Sequence, residues 1–145
     1  MYKTNYRIFS DYYEENSSKD KKSVFLNALS ELSGDFRIIS GFSCRIQCFK
    51  ALRMLVDENE DLTFIAYTDK VMRNFTKEGE LLFPVNIFFR GDTDLIIKVF
   101  NKNGFLVLWS GEEEDAMLIG TERNLREIQE NNINYDISEV HYDLW

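Results

Sequence analysis

Apolar residues recur along this chain with two different periods, and each change of period marks a new element. Phe25, Ala28, Leu29 and Leu32 stand at i, i+3, i+4 and i+7, a single stripe that predicts a helix over residues 24–32. Ser23 is placed to cap its start, and Gly34 to close it in a left-handed turn. Over residues 36–49 the period shortens to two. Phe42, Cys44, Ile46 and Cys48 alternate with Ser43, Arg45 and Gln47, which predicts an extended segment with one apolar face. Gly41 within it marks a bulge or bend. Residues 51–56 fit a short helix or a strand end, and DENED at 57–61 reads as a turn.

The second half continues with a strand over 62–67 and a short helix over 70–77. Asp69 caps that helix, Gly79 ends it, and Val71, Met72 and Phe75 point inward. Three apolar runs, 81–89, 95–100 and 105–110, read as a meander of strands. The last two flank Asn101-Lys102-Asn103-Gly104, and Asn-Gly is the strongest short signal for a hairpin. The first two are joined by Gly-Asp-Thr-Asp at 91–94, a link short enough to force antiparallel neighbours. Thr121 caps a helix reaching about residue 131, with Leu125 and Ile128 facing inward and Glu122–Arg126 and Arg123–Glu127 paired outside. A final strand is expected over 135–140. Because helices and strands do not alternate strictly, the order predicts an α+β fold rather than a doubly wound one. The expectation is a single domain over 1–145: a mainly antiparallel sheet of about five to six strands, with two to three helices packed on one face.

A length of 145 residues suffices for a core without disulfides or metal. No apolar run approaches the roughly 18 residues of a membrane helix, and the first residues lack the apolar stretch of a signal peptide. A cytoplasmic location is expected. Cys44 and Cys48, if on one strand face, lie about 13 Å apart, beyond the reach of a disulfide, and are read as buried free thiols. Charge is divided unevenly. Residues 1–56 hold nine Lys/Arg and six Asp/Glu, net +3, whereas residues 57–145 hold eight and nineteen, net −11. The last 35 residues carry ten acids and two bases. Such a surface repels phosphate and attracts basic proteins.

Catalytic chemistry finds little support. The seven glycines form neither a dinucleotide-binding nor a P-loop pattern. His141 is the single histidine, so a two-histidine metal site is excluded, and its polar neighbours fit a surface position. Asp92-Thr93-Asp94 matches a cation-holding DxD, but as a turn between strands it needs no metal. Glu112-Glu113-Glu114-Asp115 does not converge as calcium ligands do. No cofactor is expected.

What remains is an interaction surface. Glu112, Glu113, Glu114 and Asp115 form an acidic loop, with Trp109 before it and Met117 and Leu118 after it as apolar anchors beside charge. The segment from Tyr135 to Trp145 alternates acids with large apolar residues, and Asp136, Glu139, Tyr142, Asp143 and Trp145 extend the expected partner-binding surface. The physical profile is similar to that of immunity proteins that neutralise basic bacterial toxins, some of them nucleases, by occlusion. A phage-encoded inhibitor of a host defence protein would use the same surface. The reading from another class is a ligand-sensing domain whose aromatics Phe83, Phe88, Phe89, Phe100 and Trp109 enclose a pocket.

Overall fold

The computed structural model describes residues 6–130, apart from the side chains of residue 45 and residues 127–130. Its centre is a six-stranded open sheet of β1 (Arg7–Phe9), β2 (Arg37–Phe42), β3 (Phe64–Thr68), β4 (Val85–Arg90), β5 (Leu106–Trp109) and β6 (Met117–Gly120). The spatial order is β1-β5-β6-β4-β3-β2. Every neighbouring pair is antiparallel except β2 with β3. Four α-helices accompany it: α1 (Lys21–Leu32), α2 (Arg45–Glu58), α3 (Thr93–Lys102) and α4 (Glu122–Glu130). The fold is therefore α+β with a mostly antiparallel sheet, as the element order predicts.

The helices cover both faces of the sheet, not one. Val85, Ile87 and Phe89 of β4 and Val107 and Trp109 of β5 join the core beneath α1 and α3. Phe88, Leu106, Leu108 and Leu118 point the other way, into a second core with Cys48 and Leu52 of α2 and Leu125 of α4. Strands buried on both faces read as continuous apolar runs, which is why 85–89 and 105–109 stand out in the sequence. In the first core Phe25 of α1 is fully buried, its ring 5.9 Å from Phe100 and 5.8 Å from Phe75.

Three predicted elements change character. Residues 95–100 are not a strand but the middle of α3. Asp92 caps it, its Oδ1 accepting from the Leu95 N–H at 3.2 Å. The Asn103-Gly104 pair ends the helix instead of turning a hairpin. The Phe105 N–H donates to the Phe100 carbonyl at 2.9 Å, and Gly104 takes φ +86°, the left-handed residue such a stop requires. The extended reading of 36–49 holds only to Phe42. Gly41, at φ +96°, sits in a register shift between Ile39 and Phe42, the predicted bulge. Beyond it Cys44 stands at the cap position just before α2, and Cys48 and Leu52 continue an i, i+4 stripe whose latter two residues are buried. Ile46, expected on the same face as the cysteines, is 64% exposed. In place of the helix expected over 70–77 a tight 3-10 turn, Asp69–Asn74, forms, preceded by Thr68 rather than capped by Asp69.

Local signals also shift by a few residues. Asp20, not Ser23, caps α1: its carboxylate accepts from the Ser23 N–H at 3.1 Å and the Ser23 hydroxyl at 2.8 Å. Ser33 in ordinary helical geometry ends that helix, so Gly34 plays no left-handed role. At α4 the Thr121 hydroxyl accepts from the Asn124 N–H at 3.4 Å, and Asn124 Oδ1 accepts from the Thr121 N–H at 2.7 Å. This reciprocal cap supports the predicted start at Thr121. The expected Glu122–Arg126 pair forms at 2.8 Å on the exposed surface. Among the described residues no helix is long and apolar enough to cross a membrane.

Candidate functional site

The sheet register fixes which loops share an end. Phe64, at the start of β3, lies opposite Arg90, at the end of β4, and Met117, at the start of β6, lies opposite Ile87. The α2–β3 turn, the β4–α3 turn and the β5–β6 loop therefore gather at one end of the sheet. Two contacts bear this out. The Gly91 backbone lies against Thr63, and Glu113 shares a shallow depression with Phe89, Arg90 and Gly91. Asp57, Glu58, Glu60, Asp61, Asp92, Asp94, Glu112 and Glu113 are all exposed, and Glu114 is half-buried. Segments far apart in the chain thus build one acidic end, with Arg7, Arg37 and Arg90 as the nearby cations on the adjoining strands.

Within the predicted loop the residues divide. Glu112 and Glu113 are open to solvent, but Asp115 is fully buried. Its Oδ2 accepts the Ser110 hydroxyl at 2.6 Å, and the same hydroxyl oxygen accepts the Glu112 N–H at 3.1 Å. Trp109 is also buried and is no exposed anchor. Its indole N–H donates to the carbonyls of Glu112 and Asp115, both at 3.0 Å, and its ring packs 5.6 Å from Phe9 and 5.7 Å from Phe89. Met117 and Leu118 are buried in β6. The reason is physical: a loop with this many polar backbone groups next to the core must satisfy them internally. Trp109, Ser110 and Asp115 do so, leaving the neighbouring glutamates as the charged surface. Asp136, Glu139, His141, Tyr142, Asp143 and Trp145 lie outside the described residues, as does the strand expected over 135–140.

The five aromatics proposed to enclose a pocket do not all converge. Phe88 faces the α2 core, where its ring meets Phe49 at 4.9 Å. Phe89, Phe100 and Trp109 lie across the sheet in the other core, and Phe83 is 58% exposed. Four of the five rings belong to two cores on opposite faces of the sheet, so the five do not enclose one cavity. Nor do the described residues hold a cluster of three or more His, Cys, Asp or Glu side chains suited to a metal ion.

A different concavity is present, which periodicity and motif could not reveal because three separate segments form it. A groove of about 670 Å³ opens between the loop before α1, residues 78–82 and the start of α4. Ser17, Ser18, Lys19, Lys21, Glu78, Glu80, Thr121 and Arg123 supply its polar wall, and Leu81 and Leu82 its apolar one. Lys21 is half-buried and donates from Nζ to the Asn16 carbonyl at 2.8 Å. Burial lowers its pKa below the ordinary lysine value, opposed by the nearby Glu15 carboxylate. Asn124 anchors the floor, donating from Nδ2 to the Leu81 carbonyl at 3.2 Å.

Residues 3–117 match the model of a protein family described as a protein of unknown function, DUF2913, and the chain belongs to that family. No curated protein and no solved structure matches the chain.

Proposed function

We propose that this family member acts by binding rather than by catalysis, docking a basic protein through the acidic end of its sheet. One observation carries the reading: three loops distant in sequence and the helix ends beside them bring nine carboxylate side chains to one end, eight exposed and one half-buried. Charges so arranged raise the encounter rate with a positive partner and repel phosphate backbones, which favours a protein over a nucleic acid. A neutralising protein of the immunity type, covering the cationic cleft of a toxin in the cytoplasm, is the function that fits this surface. A phage inhibitor of a host defence protein would use it in the same way.

The acidic end, rather than Trp109 and Asp115, is the surface to test. The variant carries Glu60→Gln, Asp61→Asn, Glu112→Gln and Glu113→Gln. A toxin or nuclease domain encoded beside this gene is the partner to mix with it, in stopped-flow association at two ionic strengths. Association is expected to slow at low salt and to lose most of its salt dependence, with dissociation little changed, because peripheral charges act on encounter. Equal rates for variant and parent at both ionic strengths would reject the docking surface.

A further inference from the structure

We propose that the groove between the α1 entry loop, residues 78–82 and the start of α4 is a binding site for a small zwitterion of the amino-acid or short-peptide class. This site lies apart from the acidic end and does not depend on the partner reading above. Its volume of about 670 Å³ falls within the roughly 300–1,000 Å³ of ligand pockets. The chemistry of its wall selects the ligand. Lys19 and Lys21 bring two positive charges, and Glu78 and Glu80 bring two negative ones. A bare anion would meet the two carboxylates, and a bare cation the two ammonium groups. A molecule carrying both signs answers both pairs.

Lys21 is the fixed element of the positive side. Its ammonium is held by the Asn16 carbonyl at 2.8 Å and is half-buried, so its position is set before a ligand arrives. Partial burial weakens its hydration, and an incoming carboxylate restores what the ammonium has lost. Ser17 and Ser18 add neutral polar residues on the same wall. Glu78 and Glu80 are exposed and line the groove from another segment, the acidic side for a ligand ammonium. Leu82, 49% exposed, offers an apolar surface for a side chain.

Glycylglutamate is the probe, since it carries one ammonium and two carboxylates. Titrated into the isotopically labelled full chain, it should move the backbone amide resonances of Ser17, Ser18, Leu82 and Thr121, with a dissociation constant below about 1 mM. N-acetylated glycylglutamate lacks the ammonium and glycylglutamine lacks one carboxylate. Each should bind at least about fivefold more weakly. Lys21→Gln should abolish the shifts, and Glu80→Gln, an exposed change that preserves the fold, should erase the penalty of acetylation. No shifts at about ten times that concentration, or shifts confined to other surfaces, would overturn the site. Inorganic phosphate binding as tightly as the dipeptide would overturn the zwitterion assignment.

Discussion

Ser110 donates its hydroxyl to the buried carboxylate of Asp115 at 2.6 Å, closing the β5–β6 loop from within. That bond separates two kinds of acid in one run of four. Asp115→Asn keeps the volume but puts an amide where the serine hydroxyl has a carboxyl acceptor. Leaving a buried hydrogen-bonding group poorly matched costs about 1–3 kcal/mol, and a loss of that order is expected. Glu112→Gln and Glu113→Gln, on the solvent side, should each stay within about 0.5 kcal/mol. Urea denaturation of the three variants checks the contrast, and three equal midpoints would contradict it.

Gly104 should tolerate no branched residue. Its φ is +86°, and a Cβ built there meets the Asn16 Cβ at 2.5 Å and the Asn16 backbone nitrogen at 3.1 Å. Gly104→Val therefore combines left-handed strain with a backbone clash, and a loss above about 2 kcal/mol is expected. Gly34→Ala, with neither a positive φ nor a neighbour within 4 Å, is the control and should be near neutral or mildly stabilising. Thermal melts of both proteins decide the point.

Asn101 ties the N-terminal strand to the helical layer. Fully buried, it donates from Nδ2 to the carbonyls of Phe9 at 3.2 Å and Phe105 at 2.9 Å, while Oδ1 accepts from the Tyr12 N–H at 3.2 Å. Asn101→Leu strands these three backbone groups, and a loss of at least about 2 kcal/mol is expected. Hydrogen exchange should quicken at Tyr12 before it does so in β4. Uniform acceleration across both would show that Asn101 supports the whole fold rather than this junction.

The two thiols should differ in reactivity. Cys48 is buried on the inner side of α2, and burial, with the Cys44 thiol nearby, pushes its pKa up to about 11; Cys44 is half-buried at the helix start. Alkylation of the folded protein at pH 8 should modify Cys44 well before Cys48, and denaturant should expose both. Because the folded pKa of Cys48 lies above its unfolded value, its contribution to stability is complete below the ordinary thiol range. It is lost as pH rises toward 11. Cys48→Ala should therefore flatten the alkaline fall in melting temperature, and an unchanged slope would place its cause elsewhere.

Much of the scaffold follows from the sequence because its signals are local. The stripe Phe25, Ala28, Leu29 and Leu32, the apolar runs of β4 and β5, the bulge at Gly41 and the cap at Thr121 each depend on neighbours within a few residues. Local signals fail where two structures share one vocabulary. Leu95, Ile96, Ile97, Val99 and Phe100 are good strand residues, and Asn-Gly serves a hairpin turn or a helix stop equally well. In α3 the Asp92 cap and the burial of Ile96, Ile97 and Phe100 against α1 and the sheet decide for the helix. The same holds for Cys44 and Cys48, whose spacing fits period two or a helical turn until the sheet supplies a face for Cys48 and Leu52. Composition alone establishes an acidic second half. Which acids form a surface is a tertiary matter, since strand register brings Asp61, Asp92 and Glu113 to one end while core packing withdraws Asp115 from solvent. The groove beside Lys21 is likewise beyond any local pattern, because its walls meet only when three separated segments fold against one another.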